Sequence, residues 1–309
     1  MRRRRLTVGI ALAITAAVLA VALVALVQNA PREPVYEGKP LRAWLGAFDA
    51  NEDSSNRVAA QLAIRQMGTN ALPFLIRYLR HRDPPYYVQF VNLKARLHLL
   101  RGGVDYETQW HRRAALACGE LGVAAEPAFP ALLAAANDPH AASQVANGLS
   151  KMLPNSAPVL TNILVTGNPV ARARAADTLA LGLFYPDLAT MSRTVLTNAL
   201  LRDPDAGVRM AAASALGIAS ALERAGHSPA QLDLIVPALT RALGDPNPSV
   251  RGNAATSLGG FGAKSKSAVP ELLKLLQDTN DFPRTRAAEM LPKIDPEAAA
   301  EATRLVAPP

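Results

Sequence analysis

The chain is 309 residues long and half apolar, yet only 5% aromatic, with Ala and Leu supplying most of the apolar part. That composition suits thin helices packed closely side by side and argues against an aromatic-rich sheet. The formal charge is +8, but Arg2 to Arg5 carry half of it, and the remaining excess is too mild to argue for a nucleic-acid partner. A single cysteine, Cys118, excludes an internal disulfide and a Cys-based metal site, and the five histidines show no metal-ligand spacing. No cofactor is expected.

The N-terminus reads "MRRRRLTVGIALAITAAVLAVALVALVQNA". Leu6 to Val27 is a 22-residue run without a charge behind an Arg cluster. A helix needs about 20 apolar residues to cross a bilayer core, whereas a cleaved signal peptide has an apolar region of about 7–15. Residues 1–30 are therefore predicted to be a cytoplasmic Arg cluster and a transmembrane signal anchor, with residues 6–27 in the membrane. Cleavage near Pro31 is the rival reading. The Arg cluster stays cytoplasmic by the positive-inside rule, which sends the rest of the chain to the periplasmic side. Residues 31–49 are expected to be a linker followed by a short capping helix, "LRAWLGAF", with Leu41, Trp44 and Phe48 on one face.

From residue 50 onward one pattern recurs. "DPNPSVRGNAATSLGGFG" places Ala254, Ala255, Leu258, Phe261 and Gly262 at +3, +4, +7, +10 and +11 from Arg251, an apolar helical stripe ended by glycine. Arg57, Arg172, Arg209 and Arg284 head similar stretches, His111 takes the Arg place in "TQWHRRAALACGELG", and Ala142 takes it in "DPHAASQVANGLSKML". The closest-spaced copies are 30, 31 and 33 residues apart. Each is followed by a second helix, often entered through proline, as in "IVPALTRALGD" and "AVPELLKLLQD". Asp245 before Pro246 is expected to cap and start its helix. The Arg column is expected to pack its stems and pair its heads with acids or carbonyls of adjoining repeats. Cys118 falls in the leucine column and is expected to be a small buried side chain.

These residues resemble HEAT repeats, and among them the short alanine-rich class called phycobilisome-lyase HEAT-like repeats, here of a bacterial membrane-anchored type. The resemblance implies an all-α α-solenoid of about seven helix pairs over residues 50–309, preceded by the transmembrane helix. One pair cannot bury its apolar stripe alone, so neighbours stack into a continuous core.

Three insertions interrupt the unit, at 81–106, 183–193 and 220–236. The first holds Tyr86, Tyr87, Lys94 and Arg96. It reads either as a basic aromatic arm for an anionic partner or headgroups, or as an extra helix packed on the array. The other two are expected to lengthen helix–helix loops. Along the second helices Arg77, Ala134, Asn162, Asn198, Arg241 and Lys274 share one column, preceded by Ile76, Leu133, Thr161, Thr197, Thr240 and Leu273. In the family the second helices line the concave surface, which makes this column either a faintly basic strip that recruits a protein or peptide, or an ordinary solvated face. With no nucleophile triad, phosphate loop or haem site in view, the expectation is a non-catalytic scaffold for protein–protein interaction at the cell envelope. The alternative from the resemblance is an enzyme of the bilin-lyase-like or DNA-glycosylase-like HEAT type.

Overall fold

The computed structural model describes residues 32–49, 53–84, 86, 89, 93, 106–224 and 232–306. The expected membrane segment, residues 6–27, lies outside the described residues. The first regular element is a small hairpin, β1 (Val35–Tyr36) paired antiparallel with β2 (Lys39–Pro40). Glu37 and Gly38 turn it with φ of 48° and 73°, the left-handed pair that a two-residue hairpin requires. The sequence reading treated this stretch as a spacer; instead it is docked. Glu33 accepts hydrogen bonds from the Tyr78 hydroxyl at 2.5 Å and the Arg42 N–H at 3.2 Å, and Trp44 Nε1 donates to the Tyr36 carbonyl at 3.2 Å. Helix α1 (Leu41–Leu45) and a short 3-10 turn (Gly46–Phe48) then bury Leu41, Trp44, Leu45 and Phe48 against the first repeat.

All the regular elements described beyond this point are helical. First helices α2 (Ser54–Met67), α4 (Tyr106–Leu121), α6 (Ala142–Ser150), α8 (Pro169–Leu179), α10 (Ala206–Arg224), α12 (Pro248–Phe261) and α14 (Asp281–Ile294) form one layer, each packed on the next. Second helices α3 (Leu72–Leu79), α5 (Phe129–Ala135), α7 (Ala157–Thr166), α9 (Pro186–Arg202), α11 (Leu232–Ala242), α13 (Val269–Leu275) and α15 (Pro296–Val306) form the other layer. Two layers sharing one core, each helix pair touching only its neighbours, is an α-solenoid.

The paired alanines explain how close the first layer packs. Ala114, Ala115, Ala175, Ala176, Ala212, Ala213, Ala254 and Ala255 are all buried. Helix α6 carries Gly148 where a β-carbon would stand 2.3 Å from the Ala115 carbonyl oxygen, so nothing larger than hydrogen fits. Gly68, Gly122 and Gly262 end three first helices at φ between 56° and 60°, turning the chain through a 3-10 segment into the second helix. One such turn interrupts Thr108–Ala135, the single described stretch long and apolar enough by composition to cross a membrane. That stretch is α4, a turn and α5, and its Ala114, Ala115, Ala117, Ala125, Ala128, Ala131 and Ala135 lie in the core of the array.

One expectation about the insertions is corrected. Residues 183–193 do not lengthen a loop: a 3-10 turn ends at Phe184 and α9 begins at Pro186, so the extra residues lengthen the second helix to 17 residues. Proline at a first helical position loses no hydrogen bond and has φ already set, which makes Pro186 a helix start rather than a loop residue. In 220–236 the first helix α10 runs on to Arg224 and the second resumes at Leu232.

Candidate functional site

A hydrogen-bonded spine runs along the junctions between repeats. Arg172 grips Asp203 with Nε and Nη2, both at 2.9 Å; Arg209 grips Asp245 at 2.8 and 2.9 Å; Arg251 grips Asp278 at 2.7 and 2.7 Å. The remaining Nη1 of Arg209 reaches back to the Asp203 and Pro204 carbonyls at 2.9 and 3.0 Å, and that of Arg251 to the Asp245 and Pro246 carbonyls at 2.8 and 3.1 Å. Arg284 reaches the Asp278 carbonyl in the same way. Arg172, Arg209 and Arg251 therefore each tie the loop entering their own helix to the loop leaving the pair. Bidentate guanidinium–carboxylate bonds are strong and geometrically exacting. Hydrogen bonding to Arg251 holds the Asp278 carboxyl below its ordinary value, and donating to Asp203 raises the Arg172 guanidinium above its own.

The spine corrects the reading of Asp-Pro. Asp245 does not cap the helix; Asn247 does, accepting from the Ser249 N–H at 2.9 Å with Pro248 in the first turn. Asp245 is spent on Arg209, and its Oδ1 also accepts the Asn247 N–H at 2.8 Å. The same division of labour appears in Asp203 with Asp205, and in Asp278 with Asn280: the first acid binds arginine and the residue two places on caps. Among the described residues, Asp295, which accepts from the Glu297 and Ala298 N–H groups, is an acid directly before proline that does cap its helix. In the second pair His111 replaces arginine. It is fully buried, with Nδ1 3.3 Å from Asp138 Oδ2 and Nε2 3.1 Å from the His81 carbonyl. The Arg and His columns are thus structural. Cys118 is fully buried as well, and burial pushes its thiol up to about 12, which leaves it unreactive at neutral pH.

The second-helix column stands apart from the spine. Arg77, Ala134, Asn162, Asn198, Arg241 and Lys274 are all exposed, one on each of α3, α5, α7, α9, α11 and α13. α3 packs on α5, α5 on α7, α7 on α9 and α9 on α11, and α11 and α13 line one cavity, so the six positions lie along one layer of the array. Arg77 lies over the Phe74 and Tyr78 rings at 5.6 and 5.7 Å. Asn162 accepts from the Thr166 hydroxyl at 2.9 Å. Lys274 pairs with Glu271 at 2.6 Å, which offsets its charge. Arg241 lines an open cavity of about 460 Å³ between α11 and α13, with Pro237, Thr240, Gly244, Ser267 and Glu271. Sequence columns could not reveal this cavity, because Ser267 and Glu271 reach it only through the stacking of two repeats.

Of the 81–106 insertion, Tyr86 is exposed, while Tyr87, Lys94 and Arg96 lie outside the described residues. Arg193, on α9, escaped the sequence reading altogether. It is 7% exposed and stands where the other second helices place Leu72, Phe129, Ala157, Val236 and Val269. Its Nη2 donates to Thr190 Oγ1 at 3.1 Å, its Nε and Thr197 Oγ1 are buried without partners, and burial lowers its pKa. Breaking the apolar column was the available signal. Among the described residues no group of three or more His, Cys, Asp or Glu is placed to hold a metal ion.

Comparison with known proteins agrees with this architecture. A model of HEAT repeats matches residues 235–304, and a model of a HEAT-like repeat matches residues 206–259. Residues 206–304 are thus HEAT repeats, and the helix pairs before them continue the same two layers. No curated relative matches the sequence. Among solved structures an engineered protein is 17% identical, over 92% of this chain and 74% of its own, with a TM-score of 0.45. A designed armadillo repeat protein in complex with the peptide (KR)4 is 14% identical, over 85% of this chain and 99% of its own, with a TM-score of 0.39. A mutant of Kap121p is 15% identical over 86% of this chain, which spans 30% of that protein, with a TM-score of 0.48. At such scores the likeness carries no weight for function.

Proposed function

We propose that the protein is a non-catalytic scaffold that binds a protein or peptide on its second-helix face. The observation that carries this reading is the single exposed column Arg77, Ala134, Asn162, Asn198, Arg241 and Lys274, with the cavity around Arg241. Extended faces of stacked repeats are binding surfaces because they offer many similar positions at fixed spacing. The finer parts of the proposal rest on the sequence. About seven HEAT-like pairs of the phycobilisome-lyase class make up residues 50–309, in a bacterial chain held in the membrane by residues 6–27 with the array on the periplasmic side.

A photo-crosslinking residue in place of Asn198 tests the surface, with one in place of exposed Arg174 on the first-helix layer as control. Partner capture at the first position and not the second is expected. Arg241→Glu with Lys274→Glu should weaken capture and remove its salt dependence, since exposed charges are screened within about 8 Å at physiological ionic strength. Capture that survives this pair but is lost in Lys94→Glu with Arg96→Glu would move the site to the 81–106 insertion. For topology, a reporter enzyme active only in the periplasm, fused after Pro309, should be active. A silent fusion overturns the orientation, and a mature chain beginning near Pro31 overturns the anchor.

A further inference from the structure

The first-helix layer holds a second cavity of about 400 Å³, lined by residues of α2, α4 and α6 with Phe48 from the 3-10 turn before them. Three cations line it, Arg57 on α2, Arg112 on α4 and Lys151 just beyond α6, and no carboxylate does. Glu120, whose side chain is fully buried, accepts from Arg65 at 2.7 Å, from Gln61 at 3.0 Å and from Lys151. Burial alone would raise the Glu120 carboxyl, but its bonds to Lys151 and Arg65 bring it below its ordinary value, so it is an anion shared between those two cations. Its bonds reach neither Arg57 nor Arg112.

Arg112 breaks a rule that the first helices otherwise keep. Among the described residues their half-buried arginines each hold a carboxylate: Arg113 holds Asp49, Arg172 Asp203, Arg209 Asp245, Arg251 Asp278, and Arg284 and Arg286 hold Asp281 and Glu289 of their own helix. Arg112 is half-buried too, yet it makes no hydrogen bond or ion pair with any described residue. Arg57 donates from Nη2 to the Asp49 carbonyl at 3.1 Å, an uncharged acceptor, while the Asp49 carboxylate belongs to Arg113. The lining thus carries two guanidinium charges that no acid of the chain offsets, and a charge partly withdrawn from water is unfavourable without a counter-charge.

Two such groups in one cavity match a dianion, and the planar fork of arginine binds carboxylate and phosphoryl oxygens alike. The volume lies within the range of small-ligand pockets. Phe48 and Leu116 offer apolar surface for an organic body, and Ser143 and Asn147 are exposed hydrogen-bonding groups in the same lining. An extended polyanion is the poorer match, because the positive stretch ends at the cavity. On α8, Arg174 is already paired with Asp177 at 3.2 Å, and on α10 the exposed Met210, Ser214 and Ile218 are uncharged.

We infer that the cavity between the first helices of the first three pairs binds a small organic dianion, with its negative charge on Arg57 and Arg112 and its apolar part on Leu116 and Phe48. This site is separate from the second-helix column and does not depend on it.

The test is isothermal titration calorimetry of the full chain at about pH 8, where a phosphate monoester with its second pKa near 6 is a dianion. The probes are phenyl phosphate, benzylsuccinate with its two carboxylates, phenyl sulfate as a monoanion shaped like the first, and inorganic phosphate. The better dianion is expected to bind at least about tenfold tighter than phenyl sulfate, the worth of one charge-assisted hydrogen bond. Tighter phenyl phosphate puts both arginines on one phosphoryl group; tighter benzylsuccinate gives each arginine its own carboxylate. Inorganic phosphate, with no apolar part, should bind more weakly than the better dianion. Arg112→Gln and Arg57→Gln should each weaken that dianion by about tenfold. Asn147→Glu, at an exposed position of the lining, should weaken it too, by supplying a carboxylate from the chain itself. Phenyl sulfate or inorganic phosphate binding as tightly, no binding of any probe at millimolar concentration, or binding unchanged by both glutamine variants with the melting temperature retained, overturns the inference. So does polyglutamate that binds tighter than either dianion at equal charge, which assigns the face to an acidic polymer. A loss in the Arg241→Glu, Lys274→Glu pair, which the cavity reading expects to be silent, overturns it as well.

Discussion

Replacing Asp245 by Ala removes the central link of the arginine–aspartate spine. The carboxylate accepts two bonds from Arg209 and one from the Asn247 N–H. Arg209 would keep only the Asp203 and Pro204 carbonyls. Summing three charge-assisted bonds at about 1.5–3 kcal/mol each would overshoot, because such bonds are not additive. Breaking a buried ion pair by deleting one partner costs about 3–5 kcal/mol. Here the side chains are 13% and 9% exposed, so water reaches the orphaned guanidinium and the lower end, about 3 kcal/mol, is expected. Asp245→Asn, which keeps an acceptor but not the charge, should cost less. Urea unfolding followed by circular dichroism reads the total. Because repeat arrays need not unfold in one step, amide hydrogen exchange should show the loss concentrated in α10, α11 and α12. Asp245→Ala with Arg209→Met should recover part of the loss. A cost no larger than that of Glu271→Ala, whose pair with Lys274 is 43% and 72% exposed and worth at most about 1 kcal/mol, would refute the idea that the spine holds the junctions.

Arg193→Met should raise stability by about 1–4 kcal/mol, because a buried charge without a carboxylate gives way to an apolar chain of similar length; a lower urea midpoint would contradict it. Gly148→Val should be among the most damaging single changes, since even a β-carbon lies 2.3 Å from the Ala115 carbonyl oxygen; differential scanning calorimetry showing an unchanged melting temperature would contradict that contact. Asp278, Glu120 and Asp295 all have carboxyls lowered in the folded state, so each adds stability above its unfolded value near pH 4. That contribution is lost as pH falls through the lower folded values, and a melting temperature that fails to drop on acidification below about pH 4 would contradict the assignment.

The sequence alone determined the architecture. A stripe of Arg, Ala-Ala, Leu and Gly at fixed offsets can bury itself only against a copy of itself, so the helices, their pairing and the burial of Cys118 follow from local spacing. The exposure of the Arg77-to-Lys274 column was legible for the same reason, since it follows from helical phase. Tertiary structure decided whatever depends on which atoms of different repeats meet. Asp245 and Asn247 are both good caps by residue type, and only the approach of Arg209 from the previous pair assigns one to the spine and the other to the helix. Pro186 reads as a loop residue until α9 is seen to start on it. The first-helix cavity joins Arg112 and Gln144, 32 positions apart in the chain, through stacking alone. Periodicity reports a residue's face on its own helix, whereas a site between repeats is set by how neighbouring helices cross, which no single repeat encodes.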